Sequence, residues 1–130
     1  MEQVQKVETS QAPRAVGPYS QGTCINGFVF VSGQLPIDPA TGDKCLGSIE
    51  EQTGLVLRNV EAVLEAANSS KDLVLKTTVY VSDIELWGRV NAVYQEFFGG
   101  HRPARAVVPT RDLHYGLKVE IEVIAAVREA

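Results

Sequence analysis

The sequence has two cysteines, two histidines, one methionine, one tryptophan and no basic tract, and each scarcity removes a class of function. Cys24 and Cys45 form no Cys-x-x-Cys pair and have no His or Cys beside them at metal-ligand spacing, which speaks against a zinc framework or a thioredoxin-type redox motif. Reduced thiols are the default reading, although the spacing is also compatible with a disulfide. His101 and His114 fall into no triad or ligand pattern and Ser32 lacks a nucleophile-elbow context, so neither covalent serine catalysis nor metal chemistry is expected. The glycines at Gly17 to Gly22 and Gly99-Gly100 match neither a P-loop nor a dinucleotide fingerprint. A net charge of -4 and a pI near 5.1 leave no electrostatic footprint for nucleic acid. No stretch reaches the apolar length of a membrane span, and Met1 to Val7 lacks the apolar centre of a signal peptide. The expectation is a cytoplasmic protein with no nucleic-acid or membrane partner.

Repeats, low-complexity tracts and linker-like runs are missing as well. With 130 residues, 45% hydrophobic and 22% charged, the chain is expected to form one domain over 1–130 that buries about two-thirds of its unfolded surface.

Within that domain, Asn26-Gly27 separates two runs of strand formers, Thr23 to Ile25 and Phe28 to Val31, the signal for a tight antiparallel hairpin. Phe28, Phe30 and Ser32 alternate with Val29 and Val31, and because both faces are apolar the second strand is expected to be central. A loop from Leu35 to Gly47 is long enough to be functional. Ser48 and Glu51 form a capping box ahead of Ile49, Thr53, Val56, Leu57, Val60, Val63, Leu64 and Ala67, an amphipathic helix. Gly54 inside it is expected to admit the close approach of a neighbouring element. Leu73 to Val81 reads as a strand, and Ser82 or Asp83 caps a second helix with Trp87, Val90, Tyr94, Phe97 and Phe98 on one face. That spacing indicates core or subunit packing and not a platform for stacking bases. The final strand pattern, Leu117 to Val127, puts Leu117, Val119, Ile121, Val123, Ala125 and Val127 on one side. The sum is an α+β fold, a mixed sheet with two helices on one face.

Arg105 opens an apolar run expected to be a buried strand, and a buried guanidinium needs an anionic partner. Adjacent final strands could bring it to Glu120. At this point two readings stand: a structural ion pair, or a site in which Arg105 holds a ligand anion while Glu120 activates water. Tyr19, Ser32 and Asn91 add hydroxyl and amide groups able to orient a small polar ligand.

Taken together, Gly17-Pro18-Tyr19-Ser20-Gln21, Val31-Ser32-Gly33-Gln34, Lys76-Thr77-Thr78-Val79, Val90-Asn91-Ala92-Val93-Tyr94, Arg102-Pro103-Ala104-Arg105 and Val119-Glu120-Ile121-Glu122 closely resemble the Rid family. These are the reactive intermediate deaminases, formerly YjgF, often labelled L-PSP endoribonucleases or translation inhibitors. The resemblance runs from about Pro13 to Val127. It implies a chorismate-mutase-like fold, a barrel-like homotrimer with ligand clefts between subunits, and cofactor-free hydrolysis of 2-imino acids or their enamine tautomers, such as 2-iminobutanoate and 2-iminopropanoate, to 2-oxo acids and ammonia. By the same resemblance Arg105 clamps the substrate carboxylate, Glu120 directs the water, Tyr19, Ser32 and Asn91 line the cleft, and Gly33 lets backbone approach the ligand. Val107 stands where the best-known branch carries a cysteine, and Pro109 with Arg111 changes the next loop. An aminomuconate-like substrate, a chaperone-like trimer and an RNA-cleaving translation inhibitor are the alternative readings.

Overall fold

The chain runs through β1 (Gln5–Val7), β2 (Gly22–Ile25), β3 (Phe28–Gln34), α1 (Ile49–Ala66), β4 (Val74–Val81), α2 (Trp87–Phe98), β5 (Ala104–Pro109) and β6 (Val119–Ala126). This is a computed structural model, and it describes residues 3–128. Asn26 and Gly27 turn β2 into β3 with φ of 53° and 81°, the two left-handed residues a tight hairpin demands. The capping box forms as the sequence implies: Glu51 N–H donates to the Ser48 hydroxyl at 3.1 Å, and Ser48 N–H donates back to the Glu51 carboxylate at 3.2 Å. Asp83 accepts from Glu85 N–H in the 3-10 turn that leads into α2, and Gly99 ends that helix at φ 60°.

All the strands join one sheet in the order β1-β2-β3-β6-β4-β5. The pairs are antiparallel except β4 with β5, which are parallel. The last strand therefore inserts between β3 and β4, while β5 is pushed to an edge. Val29 and Val31 of β3, Val79 and Val81 of β4, and Val119, Ile121, Val123 and Ala125 of β6 face the helices and are buried with Val56, Leu57, Val60, Val63 and Leu64 of α1 and Val90, Tyr94 and Phe98 of α2. Their apolar area leaving water is the main drive for the layer pairing. The other face is uncovered in the single chain.

Several local expectations shift. The short β1 pairs with β2 although nothing in its composition announces a strand. In β3, Phe28 and Phe30 remain 42% and 43% exposed, so its two apolar faces reflect an open apolar surface and not burial on both sides. A register shift between Val74 and Lys76 puts Val74 on the buried side with Thr77 and Val79 and leaves Leu75 exposed. β5 is an exposed edge strand and not a buried one. A Cβ at Gly54 would meet only Arg58 of the same helix, at 3.4 Å, so no neighbouring element makes use of that glycine. Both cysteines are free thiols.

Two buried amides brace the irregular segments. Gln21 accepts from Thr9 N–H at 2.8 Å and donates to the carbonyls of Thr9, Ala12 and Pro13. Asn59 of α1 donates to the carbonyls of Leu35 and Ile37. Gln21→Ala is expected to lower unfolding free energy by about 2 kcal/mol, because buried backbone groups lose their partners. Urea unfolding at fixed protein concentration checks this; a loss under about 0.5 kcal/mol would show that water replaces the amide without penalty.

Candidate functional site: two half-sites on opposite faces of the sheet

Strand alternation decides where Arg105 and Glu120 go. β5 and β6 are not neighbours, since β4 runs between them. Arg105 is paired with Thr77, whose side chain is buried on the helix side. Glu120 is paired with Tyr80 and lies between the buried Val119 and Ile121, so it takes the opposite, uncovered face. The expected approach of the two through adjacent strands does not occur within one chain.

The Arg105 half-site is built by α2. Its guanidinium carbon lies 4.8 Å from the Trp87 ring and 4.9 Å from the Tyr94 ring, and its Nη1 donates to Asn91 Oδ1 at 2.8 Å. Tyr94 is fixed in turn by a 2.7 Å hydrogen bond between its hydroxyl and Thr77. The guanidinium is exposed, and its hydrogen-bonding side chain is a neutral amide rather than a carboxylate. That removes the structural ion pair with Glu120 as an intrachain option. Aromatic faces hold the cation without neutralising it, leaving most of its planar donor set free for an anion. Asn91, Tyr94, His101, Arg102 and Arg105 line a depression of about 390 Å³ there. Val107, two residues along β5, is half-buried and paired with Val79.

The Glu120 half-site is a cleft of about 970 Å³ lined by Tyr19, Ser32, Gly33, His114, Tyr115, Glu120 and the Ile37 to Lys44 loop, among others. Ser32 donates to the Ser20 carbonyl at 2.6 Å, so its hydroxyl secures the loop that presents the exposed Tyr19. The β3–β6 register shifts between Val31 and Gln34, and Gly33 sits in that bulge against Glu120. A Cβ at Gly33 would collide with the Glu120 carboxylate, lying 3.0 Å from its Cδ; the glycine makes room for this carboxylate. Burial pushes the Glu120 carboxyl above the ordinary carboxylate range, His114 draws it down, and Glu122 adds to the rise. Beside it, the hydrogen bond from Tyr80 to Glu122 (2.5 Å) pushes the tyrosine up to about 12.

Sequence reasoning set His114 aside for want of a motif, and it left Trp87 and Tyr94 as packing residues. The signal for the aromatic pair lay in their spacing with Asn91: helical positions 87, 91 and 94 share one face. Among the described residues, no group of three or more His, Cys, Asp or Glu side chains gathers as a metal site, and no helix is long and apolar enough to cross a membrane.

A family profile described as Endoribonuclease L-PSP matches residues 9–127. A RutC family protein of Pyrococcus abyssi is 44% identical over 117 residues, covering 90% of this chain and 92% of that one. The 2-iminobutanoate/2-iminopropanoate deaminase of Rattus norvegicus is 40% identical over 119 residues, covering 92% of this chain and 87% of its own length. Among solved structures, YyfA of the Rid protein family from Yersinia pestis superimposes with a TM-score of 0.94 at 46% identity, over 96% of this chain and 100% of that one.

The raised Glu120 carboxyl makes a stability prediction. A folded-state pKa above the unfolded one means that the fold favours the protonated acid. Its contribution is complete below the ordinary carboxylate range and is lost as pH rises through the raised value. Glu120→Gln escapes that loss. Its melting temperature relative to the parent is expected to climb as pH rises above the ordinary carboxylate range, and a relative climb on acidification instead would contradict burial as the dominant influence.

Proposed function

The chain belongs to the endoribonuclease L-PSP family, also called the YjgF, RutC and Rid family, and from that premise we propose that it hydrolyses reactive 2-imino acids or their enamine tautomers to 2-oxo acids and ammonia. 2-Iminobutanoate and 2-iminopropanoate are the substrates of this reading, and the cytoplasm is its setting. The observation that carries it is Arg105, an exposed guanidinium packed on two aromatic rings, with no salt bridge to a carboxylate among the described residues. Such a group suits the planar carboxylate of a small acid.

The chemistry asks for orientation more than force. An imine carbon is already electrophilic, so holding it and activating a water account for most of what an enzyme must supply. Arg105 clamps the carboxylate and Asn91 steadies the clamp. Glu120 takes a proton from the attacking water, and burial makes it a stronger base than an exposed glutamate. Tyr19 and Ser32 line the water side, and Gly33 admits both the Glu120 carboxylate and the ligand. Val107 contributes an apolar wall in place of a thiol. No cofactor enters the scheme.

The two halves meet between copies. In this reading the protein is a homotrimer in which the Arg105 half-site of one subunit faces the Glu120 half-site of the next. The opposite placement of the two residues supports it, as does the uncovered sheet face with Phe28 and Phe30 partly exposed, an apolar surface that association removes from water.

A dehydratase that releases 2-iminobutanoate from threonine provides the assay. The protein is expected to accelerate 2-oxobutanoate formation, and Glu120→Gln and Arg105→Ala are each expected to lower kcat/KM by about a hundredfold or more. Arg105→Lys should recover only part, because an ammonium lacks the planar fork. Gly33→Ala should cost activity with little change in melting temperature, since the flexible carboxylate end moves aside. No acceleration by the parent, or variants equal to it, would overturn the reading.

A further inference from the structure

Hydrolysis of an imine moves protons at two atoms, and Glu120 accounts for only one of them. Water must lose protons while nitrogen gains them until it departs as ammonia. The cleft is also lined by an imidazole, His114, a side chain whose chemistry allows it both to give and to take a proton.

His114 opens the 3-10 turn His114–Gly116, directly ahead of β6 and its Glu120. The turn is held in an uncommon shape. Tyr115 takes φ 62°, in the left-handed region that bulky residues avoid, and Gly116 follows at φ 70°. Strain of this kind persists only where the surroundings enforce it. Here the Tyr115 ring packs against the His114 imidazole with centroids 5.7 Å apart, and the Lys44 ammonium sits 4.5 Å from the Tyr115 centroid. The loop carrying Lys44 is itself tied down by an Ile37–Lys44 bridge and by Asn59. The bracing thus aims at the residue beside His114.

The imidazole is also uncommitted. His101 spends its Nε2 on the Val74 carbonyl at 2.8 Å, whereas His114 is exposed to the cleft and no protein group bonds its ring nitrogens among the described residues. It lies near enough to Glu120 for its charge to draw that carboxyl down, against the effect of burial. Two titratable groups of different chemistry in one cleft are the usual form of an acid and base pair. Arg14, Tyr19, Asp38, Lys44 and Tyr115 are the other charged or titratable groups that line the cleft.

We propose that His114 is a second catalytic residue, the acid that protonates the imine nitrogen while Glu120 deprotonates the water. The proposal rests on the deaminase reading above. In the first half, a C–O bond forms between water and the imine carbon, one water proton passes to the Glu120 carboxylate, and the imidazolium of His114 gives a proton to nitrogen. A neutral carbinolamine results. In the second half, the Glu120 carboxyl protonates nitrogen, the C–N bond breaks with its electron pair leaving on ammonia, and the hydroxyl proton passes to the His114 imidazole as the carbonyl closes. Both residues return to their starting states.

The test uses the full-length protein, with 2-iminobutanoate supplied by a threonine dehydratase. His114→Ala is expected to lower kcat by about a hundredfold with KM little changed, and free imidazole in the buffer is expected to restore part of the loss. Imidazole should leave Glu120→Gln unrescued. His114→Ala with parental kcat, or with a loss that imidazole does not touch while circular dichroism matches the parent, would overturn the assignment. A misfolded His114→Ala is replaced by His114→Gln, for which an unchanged pH profile of kcat would overturn it equally. A parent without any turnover would instead overturn the deaminase reading on which the assignment stands.

Discussion

The constraint on which the rest of the molecule depends is the passage of β4 between β5 and β6. Side chains alternate across a sheet, so each strand commits its residues to one face or the other once its register is set. β4 fixes both neighbours at once: Thr77 turns Arg105 toward the helices, and Tyr80 turns Glu120 away from them. No rotamer change carries one to the other through a sheet. The side chains that touch Arg105 come from α2, and the cleft around Glu120 is shaped chiefly by the β3 bulge, the loops and the turn before β6.

The two environments differ in kind, which suits their separate tasks. Around Arg105 the supports are flat aromatic rings and a neutral amide, which hold a cation in place and leave its charge for a ligand. Around Glu120 the support is exclusion: a glycine that leaves space and enough burial to favour the protonated acid. A carboxylate kept from water is a better proton acceptor, and the same burial weakens the fold as pH rises. In the proposed reaction, function and stability pull against each other at this one residue.

Sequence reasoning recovered what is local and missed what is topological. The Asn26-Gly27 hairpin, the Ser48 and Glu51 box and the buried side of β6 all depend on neighbouring residues, and all stand where the pattern put them, whereas Asp83 caps the 3-10 turn Ile84–Leu86 ahead of α2 and not the helix itself. Strand order depends on which edges meet after the helices dock, and no short pattern encodes that. Hence Arg105 and Glu120 were placed on adjacent strands when β4 separates them. Phe28 and Phe30 pointed correctly to an interior strand, since β3 lies between β2 and β6, but an apolar face left open in the single chain looks the same in sequence as one buried in the core. The family motifs singled out Tyr19, Ser32, Gly33, Asn91, Arg105 and Glu120, which sit around the two depressions. His114 carries no motif and emerged only from its place in the turn.

If catalysis combines the Arg105 half of one subunit with the Glu120 half of another, two inactive proteins can repair each other. Co-expression of Arg105→Ala and Glu120→Gln chains in equal amounts tests this directly. Random assembly into a closed ring leaves about a quarter of the clefts with both residues intact, so the mixture should regain about a quarter of parental activity while each variant alone stays inactive. A mixture as inactive as its components would place both residues of every working site in the same chain and contradict the account.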